Sequence, residues 1–471
     1  MPKKAPVIRW STTAFPLICT LLLLFAQFEI GAKPSSGWAQ AEKILSRIVP
    51  PTFPEKDFLI TQYGAVGDGE TDCTESFSRA IAACHEAGGG RVVVPEGVYL
   101  TGAIHLKSNV NLHVTKDATI LFSKDLKKYL PIVYTRFEGV ECMNYSPFIY
   151  AYEQENIAIT GRGTLDGNAG DDTWWPWKGK EEHGWEEGEP NGDRDVARLG
   201  QMAEDGVPVH ERIFGEGHYL RPNFIQPYKC KNVLIEQVTI KQSPMWSIHP
   251  VLSENVIVRQ VSVMSHGPNN DGCNPESSKD VWIKDCYFDT GDDCIAIKSG
   301  RNADGRRVNV SSENIVIQGC RMKDGHGGVV VGSEVSGSVR NVFAEDCTMD
   351  SPNLERALRI KTNSVRGGVV ENIYMRNVTV GEVSDAVIWV YFNYEEGDVG
   401  RHTPVVRNIY VSNVTSRKSK YALLLAGYER SPVTNLNLKN CRLDGVEKGN
   451  MLSHYRDLEM KEVYINGELQ K

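Results

Sequence analysis

Several things are missing from this chain of 471 residues. It has no Gly/Ser-rich or Pro-rich tract, so no long flexible linker divides it. It has no CxxC pair, and eleven cysteines spread over this length are too sparse for a disulfide-built mini-scaffold or a zinc ribbon. It has no excess of basic charge: 52 Lys and Arg against 60 Asp and Glu leave a net charge of -8. That balance excludes a protein held on nucleic acid by a general basic field. The apolar stretch from Ala14 to Ala26 is short of the roughly 20 residues a membrane-spanning helix needs. What is present, 41% hydrophobic and 24% charged residues, is ordinary for a globular protein, and 43 glycines with 22 prolines provide for many turns.

The N-terminus reads as an export signal. Lys3, Lys4 and Arg9 precede the apolar stretch, and Ala32 or Ala39 offers a small residue for cleavage. Ile18 before Cys19 makes that cysteine a poor lipid acceptor. The expectation is a secreted or periplasmic protein with no stable membrane insertion after cleavage. Residues 1–39 would be signal and short N-terminal segment, and residues 40–471 one domain.

Internal repetition is the strongest signal. Segments opening at Asn232, Asn255, Asp280, Asn314, Asn341, Asn372, Asn408 and Asn435 share one pattern at spacings of 23 to 36 residues: a turn-forming Asn or Asp, then an alternating apolar strand. Asn109 and Asn156 open earlier versions. Six residues after each later opening stand Val238, Val261, Cys286, Cys320, Cys347, Val378, Val414 and Cys441. Residues that interchange as only Val and Cys act as small core fillers, so these cysteines should be buried free thiols in a ladder. Units this short, rich in strands and without room for a long helix, predict an all-β parallel β-helix stabilised by stacking. Its open end needs a cover. Asp72 and Glu75 can cap a helix with Phe77, Ile81 and Cys84 on one face. One interruption, near residues 167–227, carries Trp174, Trp175, Trp177 and Trp185, which either stack on sugars or pack the insertion against the wall.

Polar residues concentrate on the third strand of successive coils: Asn269-Asn270-Asp271, Asp292-Asp293, Gly325-His326-Gly327 and Arg359-Ile360-Lys361. Aligning the strand ends sets Asp271 beside Asp293 and Asp292 beside His326. Three neighbouring carboxylates are electrostatically costly and raise at least one pKa. Glycoside hydrolysis uses such a set, one protonated carboxyl for the leaving oxygen and one carboxylate for water or attack. A calcium site or a row of Asx turns is the structural alternative. Arg359 and Lys361 share one side of a strand, where they suit an anionic sugar or merely neutralise the aspartates. Lys298 aligns with Lys361 two coils earlier.

These four motifs, in order on consecutive coils, resemble glycoside hydrolase family 28, the polygalacturonases, over roughly residues 58 to 450. Tyr63-Gly64-Ala65-Val66-Gly67-Asp68-Gly69 is similar to the N-terminal segment of pectin-degrading β-helices. The resemblance implies a single-stranded right-handed parallel β-helix of the pectin-lyase-like kind, hydrolysing α-1,4-galacturonide linkages of pectin with inversion. It implies Asp292 as general acid, Asp271 and Asp293 holding and activating water, and His326 tuning the acid. Arg359 and Lys361 would bind a galacturonate carboxylate, and Tyr394, Asn269 and Lys298 are further substrate-contact candidates. Asn270 stands where the family has threonine. No cofactor or metal is implied; the partner is an anionic polysaccharide or oligogalacturonide, and the chain is expected to be monomeric. Attack from chain ends is favoured, because the insertion is large enough to wall off a cleft and Trp389 to Tyr394 adds aromatics. The competing readings are a calcium-dependent pectate lyase, a glycan binder without catalysis and, within the family, an endo-acting or a rhamnogalacturonan or xylogalacturonan enzyme.

Overall fold

The computed structural model describes residues 1–3 and 37–470; Cys19 and nearly all of the expected leader lie outside them. Strands of successive repeats pair in parallel and in register. Val233, Val256, Val281, Ile315, Val342, Ile373, Ile409 and Leu436 stack one above another up the wall. This is the expected parallel β-helix, each coil burying its apolar face against its neighbours.

The repeat's opening residue has a physical reason. Asn232, Asn255, Asp280, Asn314, Asn341, Asn372, Asn408 and Asn435 all turn the chain with φ between 55° and 61°, a left-handed conformation that Asn and Asp tolerate better than other side chains. Their amides also bond up the stack, from Asn156 to Asn109, Asn232 to Asn156, Asn255 to Asn232 and, higher up, Asn341 to Asn314, Asn372 to Asn341, Asn408 to Asn372 and Asn435 to Asn408. Asp280 has no amide to donate. Its carboxylate instead accepts a two-point contact from Arg47, at 2.8 and 2.5 Å.

The Val/Cys positions form the expected internal ladder, each at most 2% exposed. All ten described cysteines are free and buried, so the fold rests on packing rather than disulfides.

Helix α1 (Gly37–Leu45) begins inside the segment 1–39 assigned to the leader. It lies on the outside of the wall, with Ala41 and Ile44 on Leu234, Ile257, Val316 and Phe343. Those outward strand positions are apolar because a helix covers them. Trp38 is held by the Arg376 guanidinium, 3.8 Å from its ring centroid. Helix α2 (Thr74–Glu86) is the expected end plug, burying Phe77, Ile81 and Cys84, and the Asp72 carboxylate accepts the Thr74 N–H at 3.0 Å.

The third face positions the site. It runs from Ile149–Tyr152 and Ile225–Tyr228 through single bridges at Ile248, Cys273 and Ile295 into Val329–Val331, Arg356–Lys361, Ala386–Tyr391 and Tyr421–Ala426. Three excursions rise around it. The hairpin Val133–Phe137 with Val140–Asn144 is one. The insertion is another, with helix α3 (Asp193–Glu204) packed on helix α4 (Asn302–Val308). The loop after Tyr391, through Tyr394 to Glu396, is the third. The insertion's tryptophans mainly pack: Trp174 is buried against Tyr129, Phe148 and Trp177, and the Trp175 indole donates to the Ser243 carbonyl at 2.9 Å.

Candidate active site

The register alone brings the motifs together. Gly272 N–H donates to the Asp293 carbonyl at 3.0 Å, Cys294 N–H to Gly327 at 2.8 Å and His326 N–H to Asp292 at 3.1 Å. Asp271 therefore sits over Asp293, and Asp292 over His326, as the strand-end alignment predicts. Asp271 and Asp292 line a pocket of about 160 Å³ shared with Asn269, Lys298, Lys361 and Tyr394.

Each carboxylate has a different environment. Asp293 is fully buried and clamped by Arg359 Nη1 at 2.9 Å and Lys361 Nζ at 2.8 Å. Burial alone would raise its pKa, but the two cations outweigh burial and hold it low. Asp292, partly exposed, accepts His326 Nδ1 at 2.9 Å and the Asp293 N–H at 2.9 Å on Oδ1. Among the described residues nothing donates to Oδ2. Here too burial pushes the pKa up, and the His326 hydrogen bond and charge, with Lys361 and Arg359, pull it below the ordinary carboxylate range. Asp271 is buried, with Asn274 at 2.7 Å and Lys298 Nζ only at 3.8 Å. Burial, reinforced by the Asp292 charge, raises it well above the usual value. Of the two, Asp271 is the carboxyl whose pKa is raised and Asp292 the one whose pKa is lowered, whereas the resemblance places the acid at Asp292.

Arg359 and Lys361 do not stand free; both neutralise Asp293, and both lie near the Tyr394 ring, at 5.6 and 5.1 Å from its centroid. Lys298 is held by Glu334 at 2.8 Å and lies 4.6 Å from the Trp246 ring centroid. Asn269 accepts from Arg221 at 2.7 Å. The Asn270 amide is turned inward, taking the Gly267 N–H and donating to the Met245 carbonyl, which makes it a brace for the turn and explains why departure from threonine is tolerated.

Several site residues escape sequence reasoning. Arg221, whose pKa burial lowers to about 10, fixes Asn269. Arg301 joins the hairpin tip at Glu138, 2.9 Å away, to Glu395 and Glu396. Behind the pocket, buried Arg136, Glu276 and His249 support Trp246. The hairpin leaves a trace in the sequence: Asn109 and Asn156 are 47 residues apart, longer than any coil from Asn232 onward.

Below about pH 9, His326 is an imidazolium, because the Asp292 hydrogen bond raises its pKa from 6.5 to about 9. A raised basic pKa stabilises the fold fully below the unfolded value and stops doing so as pH climbs through the folded one. The stability difference between wild type and His326→Gln should therefore be largest below pH 6.5 and vanish above about 9, followed by melting temperature. A difference constant from pH 6 to 10 would mean that the pair carries no such linkage.

Among the described residues one trio, His266, Asp289 and Asp324, has donor atoms close enough for a cation. Lys323 already neutralises Asp289 at 3.1 Å, and Asp271, Asp292 and Asp293 are not members.

A β-helix whose third face sets three aspartates, an imidazole and ion-paired cations at and beside one walled pocket defines a carbohydrate-cleaving solenoid. The sequence profile of "Glycosyl hydrolases family 28" matches residues 215–459. A "Probable polygalacturonase" from Vitis vinifera is 29% identical over 397 residues, covering 81% of this chain and 73% of its own. An "Exo-poly-alpha-D-galacturonosidase" from Dickeya chrysanthemi is 28% identical, covering 74% of this chain and 59% of its own. The crystal structure of a hyperthermoactive exopolygalacturonase from Thermotoga maritima is 50% identical, covers 92% of this chain and 97% of its own, and superposes with a TM-score of 0.90. The chain belongs to the glycosyl hydrolases of family 28, and it is a glycoside hydrolase.

Proposed function

We propose that the protein is an exported polygalacturonase that removes units from the end of a galacturonan chain with inversion at the cleaved carbon. The observation that carries this reading is the pocket's wall. Glu138 from the hairpin, Lys178 and Val196 from the insertion, and Tyr394 with Glu395 from the last loop line the same pocket as Asp271 and Asp292. A cleft closed beside its catalytic carboxyls accommodates a chain end rather than a chain interior.

The chemistry follows from the proton inventory. In the reactive form Asp292 carries a proton, and its Oδ2 gives it to the leaving glycosidic oxygen as the C–O bond breaks. Asp271 and Asp293 are then both ionised, hold water on the opposite face, and take its proton as the water oxygen bonds to the sugar carbon. His326 sets how readily Asp292 gives and recovers its proton. Arg359 and Lys361, already balancing Asp293, offer their remaining N–H groups to a substrate carboxylate.

Early products from polygalacturonate test the mode of attack. Monomer or dimer alone is expected from the first time points; a spread of intermediate oligomers would defeat the end-acting reading. Export is supported by the basic and apolar N-terminus, and cleavage after Ala32 fits better than after Ala39, which would cut α1 and remove the packed Trp38. N-terminal sequencing of the exported protein should read upstream of Gly37; a start at Gln40 would contradict it.

A further inference from the structure

A cation already paired with a carboxylate of the protein attracts a second anion less strongly than an unpaired one does. Three cations of the pocket are so committed. Lys298 Nζ is 2.8 Å from Glu334 and 3.8 Å from Asp271, Arg301 is 2.9 Å from Glu138, and Lys361 is 2.8 Å from Asp293. Lys178 lines the same pocket and forms no ion pair with any described residue. It is half-buried, and its backbone is pinned on both sides. Trp174 before it is buried in the core, Gly179 N–H bonds to the Pro176 carbonyl, and Gly192 N–H bonds to Trp177.

The surroundings make an uncommitted cation consequential. Glu138, Asp292, Glu334 and Glu395 line this pocket beside Asp271, so an anionic sugar meets carboxylates of its own sign there. The paired cations cancel part of their field within the protein. Lys178 alone among the pocket's described cations keeps its full charge for the ligand.

We propose that Lys178 is a specificity-determining residue that binds the carboxylate of the galacturonate unit seated at the closed end of the pocket. The insertion then does two things: it ends the cleft, and it reads the acid of the chain end. This rests on the end-acting polygalacturonase reading above.

The test uses trigalacturonate and two trimers, each methyl-esterified at one terminal unit, with kcat/KM measured for the full-length enzyme. Wild type should prefer the free acid over one of the two esters by about 10- to 100-fold, the range of one hydrogen bond to a charged group. Lys178→Ala and Lys178→Gln should lose that preference by losing rate on the acid and not on that ester, and Lys178→Arg should largely restore it. Persistence of the wild-type preference in the alanine and glutamine variants overturns the assignment. So does an equal loss on acid and ester, which would mark a structural role; melting temperature reports the same fault. Products of wild type on polygalacturonate are read first. If no monomer or dimer appears early, the end-acting reading fails and takes this proposal with it; if they appear and the preference survives substitution, only this proposal fails.

Discussion

Asp292→Asn should lower kcat by about 10²- to 10⁴-fold, the range a positioned general acid supplies, while leaving the fold intact. The amide has the size of the carboxyl, and its oxygen can still accept from His326 Nδ1 and the Asp293 N–H. It cannot hand a proton to the leaving oxygen. A second readout separates this role from packing. His326 owes its pKa of about 9 to Asp292, first through the hydrogen bond and then through charge, so in the variant it should fall toward the ordinary 6.5, visible by NMR titration. Reducing-sugar release within tenfold of wild type, together with a shifted histidine, would move the acid elsewhere, with Asp271, the carboxyl whose pKa burial raises, the first to test.

Asp293→Asn should produce the largest loss of stability. The carboxylate is completely buried between Arg359 and Lys361, which are themselves 7% exposed, and removing it leaves two buried cations without a counter-charge. Breaking a buried ion pair from one side costs about 3–5 kcal/mol, because the surviving charge stays desolvated. Urea unfolding followed by tryptophan fluorescence should show the loss as a clearly lower midpoint. Asp398→Asn is the comparison: its pair with Arg430 is exposed, water replaces the partner, and the midpoint should hardly move. Equal shifts in the two variants would show that Asp293 is not a structural counter-ion. The result also bears on Arg359 and Lys361, whose first partner is this aspartate rather than a sugar.

The coil was legible in the sequence because each repeat states its own geometry. An Asn or Asp is needed where φ is positive, and an apolar residue is needed wherever a side chain points inward, as at Val238, Cys286 and Cys441. The row of candidate site residues was legible for the same reason: strand register is local arithmetic, so Asp271 over Asp293 and Asp292 over His326 follow from counting to the strand ends. Outward apolar residues such as Leu234 and Phe343 made sense only with α1 laid over them.

The opening absences keep their meaning with one refinement. Lack of a disulfide framework and of a basic surplus, the repeat, the plug helix and the identity of the carboxylates were determined by the sequence alone, since each depends on residues near in the chain or on a fixed period. What the tertiary structure decided is how charge is shared. Asp293 meets Arg359 and Lys361 across 66 and 68 residues, Arg301 meets Glu138 across 163, and Lys178 remains unpaired at the pocket wall. The Asp293 pairs depend on which side chains meet across two stacked coils, and the Arg301 pair and the place of Lys178 on how excursions of unrelated length fold back onto one face, a distance no periodicity in the chain encodes.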